Sequence, residues 1–196
     1  MNKKSASVRD IVVLGGSAGS AQALARILSA LPENFPAAVV ACVDAPLAVN
    51  EASRPQKLAG LQTRLPWHFA SDGTKLTVGT VLLLPPDAHG WIAPDGSITL
   101  STIDAKGLAG RVDALLSSAA TAFGPRVIGV VLSGDNTDGT EGLKAIERHG
   151  GMGIVQSPVD AVESRAPSHA VEADHPDCVA MLDQIPRLLV QWTLPR

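Results

Sequence analysis

The sequence predicts an α/β fold, a doubly wound, mainly parallel sheet with an antiparallel hairpin insertion. Three observations carry that expectation. Short apolar, β-branched runs alternate with helix-period stripes along the chain. Two of those runs, Ile11–Leu14 and Arg126–Leu132, end in glycine-bearing loops that lead into helices. Between about Leu65 and Leu100 the pattern changes to short strand-like pieces separated by Asp72-Gly73 and Pro94-Asp95-Gly96, turn chemistry that joins antiparallel strands. A length of 196 residues, 45% apolar and 18% charged, suits one domain with a full core, assigned to residues 8–196.

Taken in order, strand Ile11–Leu14 runs into Gly15-Gly16-Ser17-Ala18-Gly19, which fits the G-x-S-x-G pattern of a strand-to-helix nucleophile elbow. The following helix carries Leu24, Ile27, Leu28 and Leu31 on one face and stops before Pro32. Ala37–Val43 is a second buried strand, completing a βαβ unit that ends at Asp44 and Pro46. Glu51–Leu61 holds a short helix with Ser53 as cap and Pro55 near its first position. Thr80–Leu84 and Trp91–Leu100 are the clearest parts of the antiparallel insertion. Val112, Leu115, Leu116, Ala119 and Phe123 form a helical stripe closed by Gly124 and Pro125. After the strand Arg126–Leu132 comes the loop Ser133–Gly139, then a helix with Leu143 and Ile146 that ends at Gly150 and Gly151. Gly153–Gln156 is strand-like, Pro167 opens a short helix, and Cys178–Leu182 with Asp183–Val190 make a last strand and helix.

A net charge of -3, no tyrosine, and only 3 Phe and 3 Trp give no basic, aromatic surface for nucleic acid. The first apolar run is too short for a signal-peptide core or a membrane span, so a cytoplasmic protein without membrane insertion is expected. Cys42 and Cys178 lie in apolar strand-like runs and read as buried, reduced thiols.

Ser17 is the first candidate for chemistry, because the helix after it would aim free N–H groups and its positive dipole end at a developing oxyanion. The alternative is that these glycines only pack strand against helix. Asp135, Asn136, Thr137 and Asp138 crowd oxygens into one turn but lack the alternation of a calcium loop, so no metal is expected. Asp44 stands about where a dinucleotide-binding unit places its ribose acid, yet the first turn lacks G-x-G-x-x-G. Nucleotide binding is therefore the third choice, and no cofactor is assigned.

Several segments in the same order resemble the catalytic domain of CheB-type chemotaxis protein-glutamate methylesterases. Gly15–Ser20 is similar to that family's serine loop, and Ala38–Pro46 to its strand ending in Gln-His-hydrophobic-Pro-Pro. Asp72, Gly73 and Gly79–Pro86, with Asp87 and His89, match its Asp-Gly and Gly-to-Pro segment. Leu132–Gly139 matches L-[ST]-G-M-G-x-D-G, and Gln156 through Pro167 its Gln-then-Gly-Met-Pro loop. The closing AMLDQIPRLL resembles its last strand and helix. The resemblance implies a Ser-His-Asp hydrolase acting on glutamate methyl esters of chemoreceptor helices, with Ser17 as nucleophile, Asp138 as the aspartate and Val43 at the histidine position.

Other departures fall in the same pocket, which the resemblance builds from Gly16, Ala18, Asp135, Ala166 and His169. Ala18 stands where many members have a hydroxyl residue, Asp135 and Ala166 replace methionines, and Ala109-Gly110-Arg111-Val112-Asp113 keeps only the Val-Asp of Arg-Pro-Ser-Val-Asp. The family's receiver domain is not expected. A serine without a base is a poor nucleophile. Asp135 near the oxyanion would oppose its charge by roughly 3 kcal/mol at ~6 Å and an effective dielectric of about 20. His169 is the best of the later histidines for a rearranged triad. The expected function is an inactive or strongly impaired methylesterase, the alternative a non-catalytic chemosensory binding protein. A chemoreceptor or chemosensory signalling protein is the expected partner, and the sequence leaves the oligomeric state open.

Overall fold

Strands that are apolar at every position have to be covered on both faces, and the chain supplies helices for each. The structure is a computed structural model that describes residues 8–43, 62–102, 109–173 and 176–194. Its elements are β1 (Ile11–Gly16), α1 (Ser20–Ala30), β2 (Ala38–Val43), β3 (Trp67–Phe69), β4 (Val81–Leu83), β5 (Ala88–Ile92), β6 (Ile98–Thr102), α2 (Arg111–Phe123), β7 (Val127–Val131), α3 (Thr140–Arg148), β8 (Met152–Gln156), α4 (Arg165–Ala173), β9 (Cys178–Ala180) and α5 (Ile185–Thr193). One 3-10 turn, Gly124–Arg126, links α2 to β7. The helix expected at 51–61, and Asp44 and His175, lie outside the described residues.

The main sheet runs β3-β4-β2-β1-β7-β8-β9, and every pairing in it is parallel. Side-chain alternation along its strands splits the core in two. Val12, Leu14, Val39, Ala41, Ile128 and Val130 face α1 and α5. Ile11, Val13, Val40, Val127 and Val131 face α2, α3 and α4. The expected stripe of α1 is fully buried at Leu24, Ile27 and Leu28.

The antiparallel insertion is smaller than the sequence predicts. β5 and β6 form the hairpin around Pro94-Asp95-Gly96 and pack on α2, where Ser118 Oγ accepts the Ile92 N–H at 3.0 Å. β3 and β4 belong instead to the main sheet, β4 pairing parallel with β2 through Val39↔Val81 and Ala41↔Leu83. The turn at Asp72-Gly73 is local chemistry and does not choose the distant strand with which its neighbours pair. Cys42 sits buried in β2, as expected, whereas Cys178 in β9 is only half-buried. Four strand spacings, about 19 Å, separate these strands.

Candidate active site

β1 is the strand at which the winding reverses, since the chain passes from it to β2 on one side and later returns to β7 on the other. Loops leaving β1 and β7 at their carboxyl ends therefore face each other across the crevice where such sheets bind ligands. Register makes the meeting close: Gly15 is opposite Val131 and Gly16 opposite Val43. Ser17 is the next residue after β1, and its backbone N–H donates to Ser133 O at 3.1 Å.

Glycine lets these loops touch. A Cβ on Gly16 would stand 2.6 Å from Ser133 O. One on Gly134 would stand 2.7 Å from Ser17 Oγ and 2.9 Å from Ala166 Cβ, so Gly134 is the thin wall between the serine and α4. Ser133, fully buried, fastens the same corner: its Oγ donates to Ala18 O at 2.7 Å and accepts the Glu163 N–H at 2.9 Å. Gln156 Oε1 accepts the Ser133 N–H at 2.9 Å, while its Nε2 donates to Asp160 O at 3.2 Å.

Ser17 is 5% exposed, and both hydrogen bonds of its hydroxyl involve Asp135. The hydroxyl donates to Asp135 Oδ1 at 2.8 Å and accepts the Asp135 N–H at 3.0 Å. That serine bond is the main cause holding the Asp135 carboxyl below its usual range; the Asp135 and Ala18 backbone groups and the positive Arg165 act in the same direction. Ala18, half-buried, thus presents its backbone at the start of α1 to an anion, as the elbow geometry leads one to expect. The carboxylate lies on the serine itself, closer than its expected place beside the oxyanion.

The other residues of the expected site lie in different surroundings. Val43 is 6% exposed and packs in the apolar layer under α1. Asp138 Oδ2 and Oδ1 accept the N–H groups of Val112 and Asp113 at 3.0 and 2.8 Å, capping α2 from outside. Asp113 Oδ1 returns the arrangement to α3, accepting from Gly139 at 2.9 Å and Gly142 at 2.8 Å. Burial foremost, with Asp138 nearby, pushes the Asp113 carboxyl above its usual range. Asn136 Oδ1 accepts the Asp138 N–H at 3.0 Å. His169, on α4, shares a 2.8 Å hydrogen bond with Thr140 Oγ1. His149 closes α3 with Nδ1 2.7 Å from Ala145 O, and His89 stacks on Trp91 with ring centroids 5.6 Å apart. The cross-capping by Asp113 and the fastening by Ser133 and Gln156 were not assigned from sequence, although the Asp at the third position of α2 is an N-terminal helix signal.

Residues 12–189 match the family described as CheB methylesterase. The chain belongs to the CheB methylesterase family. It is 35% identical over 188 residues to protein-glutamate methylesterase/protein-glutamine glutaminase 3 of Geobacter sulfurreducens, covering 93% of this chain and 50% of that protein. It is 32% identical to the protein-glutamate methylesterase FrzG of Myxococcus xanthus, covering 93% and 54%. The chain thus spans about half the length of these two relatives. A putative protein-glutamate methylesterase/protein-glutamine glutaminase of Leptospira interrogans is 30% identical, with 93% of this chain and 94% of that protein covered. The fold superposes on the crystal structure of the Thermotoga maritima CheB methylesterase catalytic domain with a TM-score of 0.80 at 28% identity, covering 93% of this chain and 97% of that one. Within the CheB methylesterase fold, the carboxyl-edge crevice is where this chain gathers Ser17, Gly134, Asp135 and Ala166.

Proposed function

We propose that this chain is a chemosensory member of the CheB methylesterase family that recognises methylated glutamate side chains on receptor helices and hydrolyses them far more slowly than a member with a complete triad. One observation carries the reading: a buried valine stands where the resemblance expects the histidine, and the serine hydroxyl is bonded to a carboxylate instead. Family membership and the names of the relatives support the substrate class. The signalling portions of chemoreceptors would make the cytoplasm its place of work, and no described helix is long and apolar enough to cross a membrane.

Removing the base of a hydrolase triad altogether can cost on the order of 10⁶ in turnover. A non-catalytic binding role is the second reading. It is favoured by Val159 and Val162, 87% and 74% exposed on the loop between β8 and α4, with Val162 packed against Gly19 of the serine loop. The test is methanol release from methylated receptor fragments, run beside an active family member and a Ser17→Ala control, with retention of the fragments measured in parallel. The fragments should be retained, and release should run at least about 100-fold below the active relative. Turnover matching that relative, or no retention, overturns the reading.

A further inference from the structure

We infer that Ser17 and Asp135 form a nucleophile–base dyad for carboxylic esters, Asp135 Oδ1 receiving the serine proton that a histidine would take elsewhere. The substrate, a glutamate methyl ester, rests on the function proposed above; the dyad rests on geometry. A general base must lie within hydrogen-bond reach of the proton it removes, and Asp135 Oδ1 already holds that proton's oxygen at 2.8 Å. The Asp135 N–H donates to the same oxygen at 3.0 Å, which fixes the hydroxyl and stabilises charge appearing on it. Four groups favour the charged carboxylate: the Ser17 hydroxyl foremost, the Asp135 and Ala18 backbones, and the cationic Arg165 at the start of α4. They keep Asp135 ionised and ready to accept. His169, also on α4, is engaged by Thr140, and Asp138 by the first turn of α2.

The steps balance. Ser17 Oγ bonds to the ester carbonyl carbon while its proton moves to Asp135, so the carboxylate becomes neutral as the oxyanion forms. The negative charge is relocated rather than doubled, which removes the repulsion an ionised Asp135 would otherwise exert. Asp135 then returns the proton to the departing methoxy oxygen as its bond to carbon breaks, releasing methanol and leaving a glutamyl ester on Ser17. Water adds to that ester, giving its proton to Asp135. Collapse of the second intermediate returns the proton to Ser17 Oγ and frees the glutamic acid side chain.

An aspartate is about 2.6 units less basic than a histidine, and Asp135 is held lower still, which slows attack by roughly 100-fold or more where the proton is largely transferred. Its conjugate acid is correspondingly better at protonating methoxide. The dyad therefore predicts slow hydrolysis with a distinctive pH dependence, flat from pH 5 to 7.5, where a histidine base would titrate.

The experiment measures p-nitrophenyl acetate hydrolysis by the full chain and its Ser17→Ala and Asp135→Asn variants, and retention of a methylated receptor peptide. The expected result is a Ser17-dependent rate that is flat over that range and about 100-fold or more lower in D135N. The flat profile of the unaltered protein is a readout independent of how the variants fold. No Ser17-dependent rate, an unaltered rate in D135N, or a rise centred between pH 6 and 7 overturns the dyad. If the peptide is retained while the dyad fails, the proposed function stands; if the dyad holds while the peptide is ignored, the chemosensory substrate falls.

Discussion

Val43 ends β2 with its side chain in the apolar layer beneath α1, and at 6% exposure it has little room for a polar ring. Val43→His should therefore lower stability by about 1–3 kcal/mol, the cost of burying an imidazole without assured partners. Urea unfolding checks this through a lower midpoint at unchanged slope. The same variant should restore little ester hydrolysis, because the Ser17 proton remains committed to Asp135. Val43→His combined with Asp135→Met should restore measurably more, with a pH limb from the new imidazole below about 6.5, since burial disfavours its charged form. Full turnover from the single variant would show that Asp135 does not restrain the serine. Residues meeting at one reacting atom are not expected to add independently.

Helices α2 and α3 each lack a side-chain cap from the residue that precedes them, and each has a glycine there with positive φ, 78° at Gly110 and 106° at Gly139. Asp138 and Asp113 supply the missing acceptors crosswise. Asp138→Ala should cost about 1–3 kcal/mol by stranding two N–H groups, and Asp138→Asn less, since the amide oxygen still accepts. Asp113 adds a pH dependence of definite sign. Its carboxyl is raised in the folded protein, mainly by burial, so the native state binds the proton more tightly than the unfolded one. That contribution to stability is greatest below the ordinary carboxylate range and declines as pH rises from about 4 through the raised value. Asp113→Asn keeps an oxygen for Gly139 and Gly142 but has nothing to titrate. The stability of D113N relative to the parent should climb between pH 4 and 7, as followed by thermal melts across buffers; a flat difference would sink the assignment.

At the scale of the molecule, the crevice depends on three loops from β1, β7 and β8 being knit by buried polar groups, with Gln156 as the joint between the second and third. Gln156→Leu should cost about 1–3 kcal/mol by leaving the Ser133 N–H buried without its acceptor. It should also slow ester hydrolysis, because Ser133 O holds the Ser17 backbone. Thermal melts and rate measurements on one preparation test both. Much of this architecture was legible in the sequence. Runs such as Ile11–Leu14 and Ala37–Val43, short, rich in β-branched residues and bounded by glycine or proline, read as buried strands, and the two glycine loops could be placed at one edge from their order alone. The parallel pairing of β4 was not legible, since its partner β2 lies some 40 residues away and local turns say nothing of it. The Ser17–Asp135 bond joins residues 118 apart, and no periodicity marks such a meeting. The crosswise caps have a kinetic consequence as well. Because the start of α3 is held by Asp113 in the first turn of α2, and the start of α2 by Asp138 just before α3, neither should fray alone, and the amides of Val112, Asp113, Gly139 and Gly142 should exchange with deuterium through one shared opening, as a single cooperative unit.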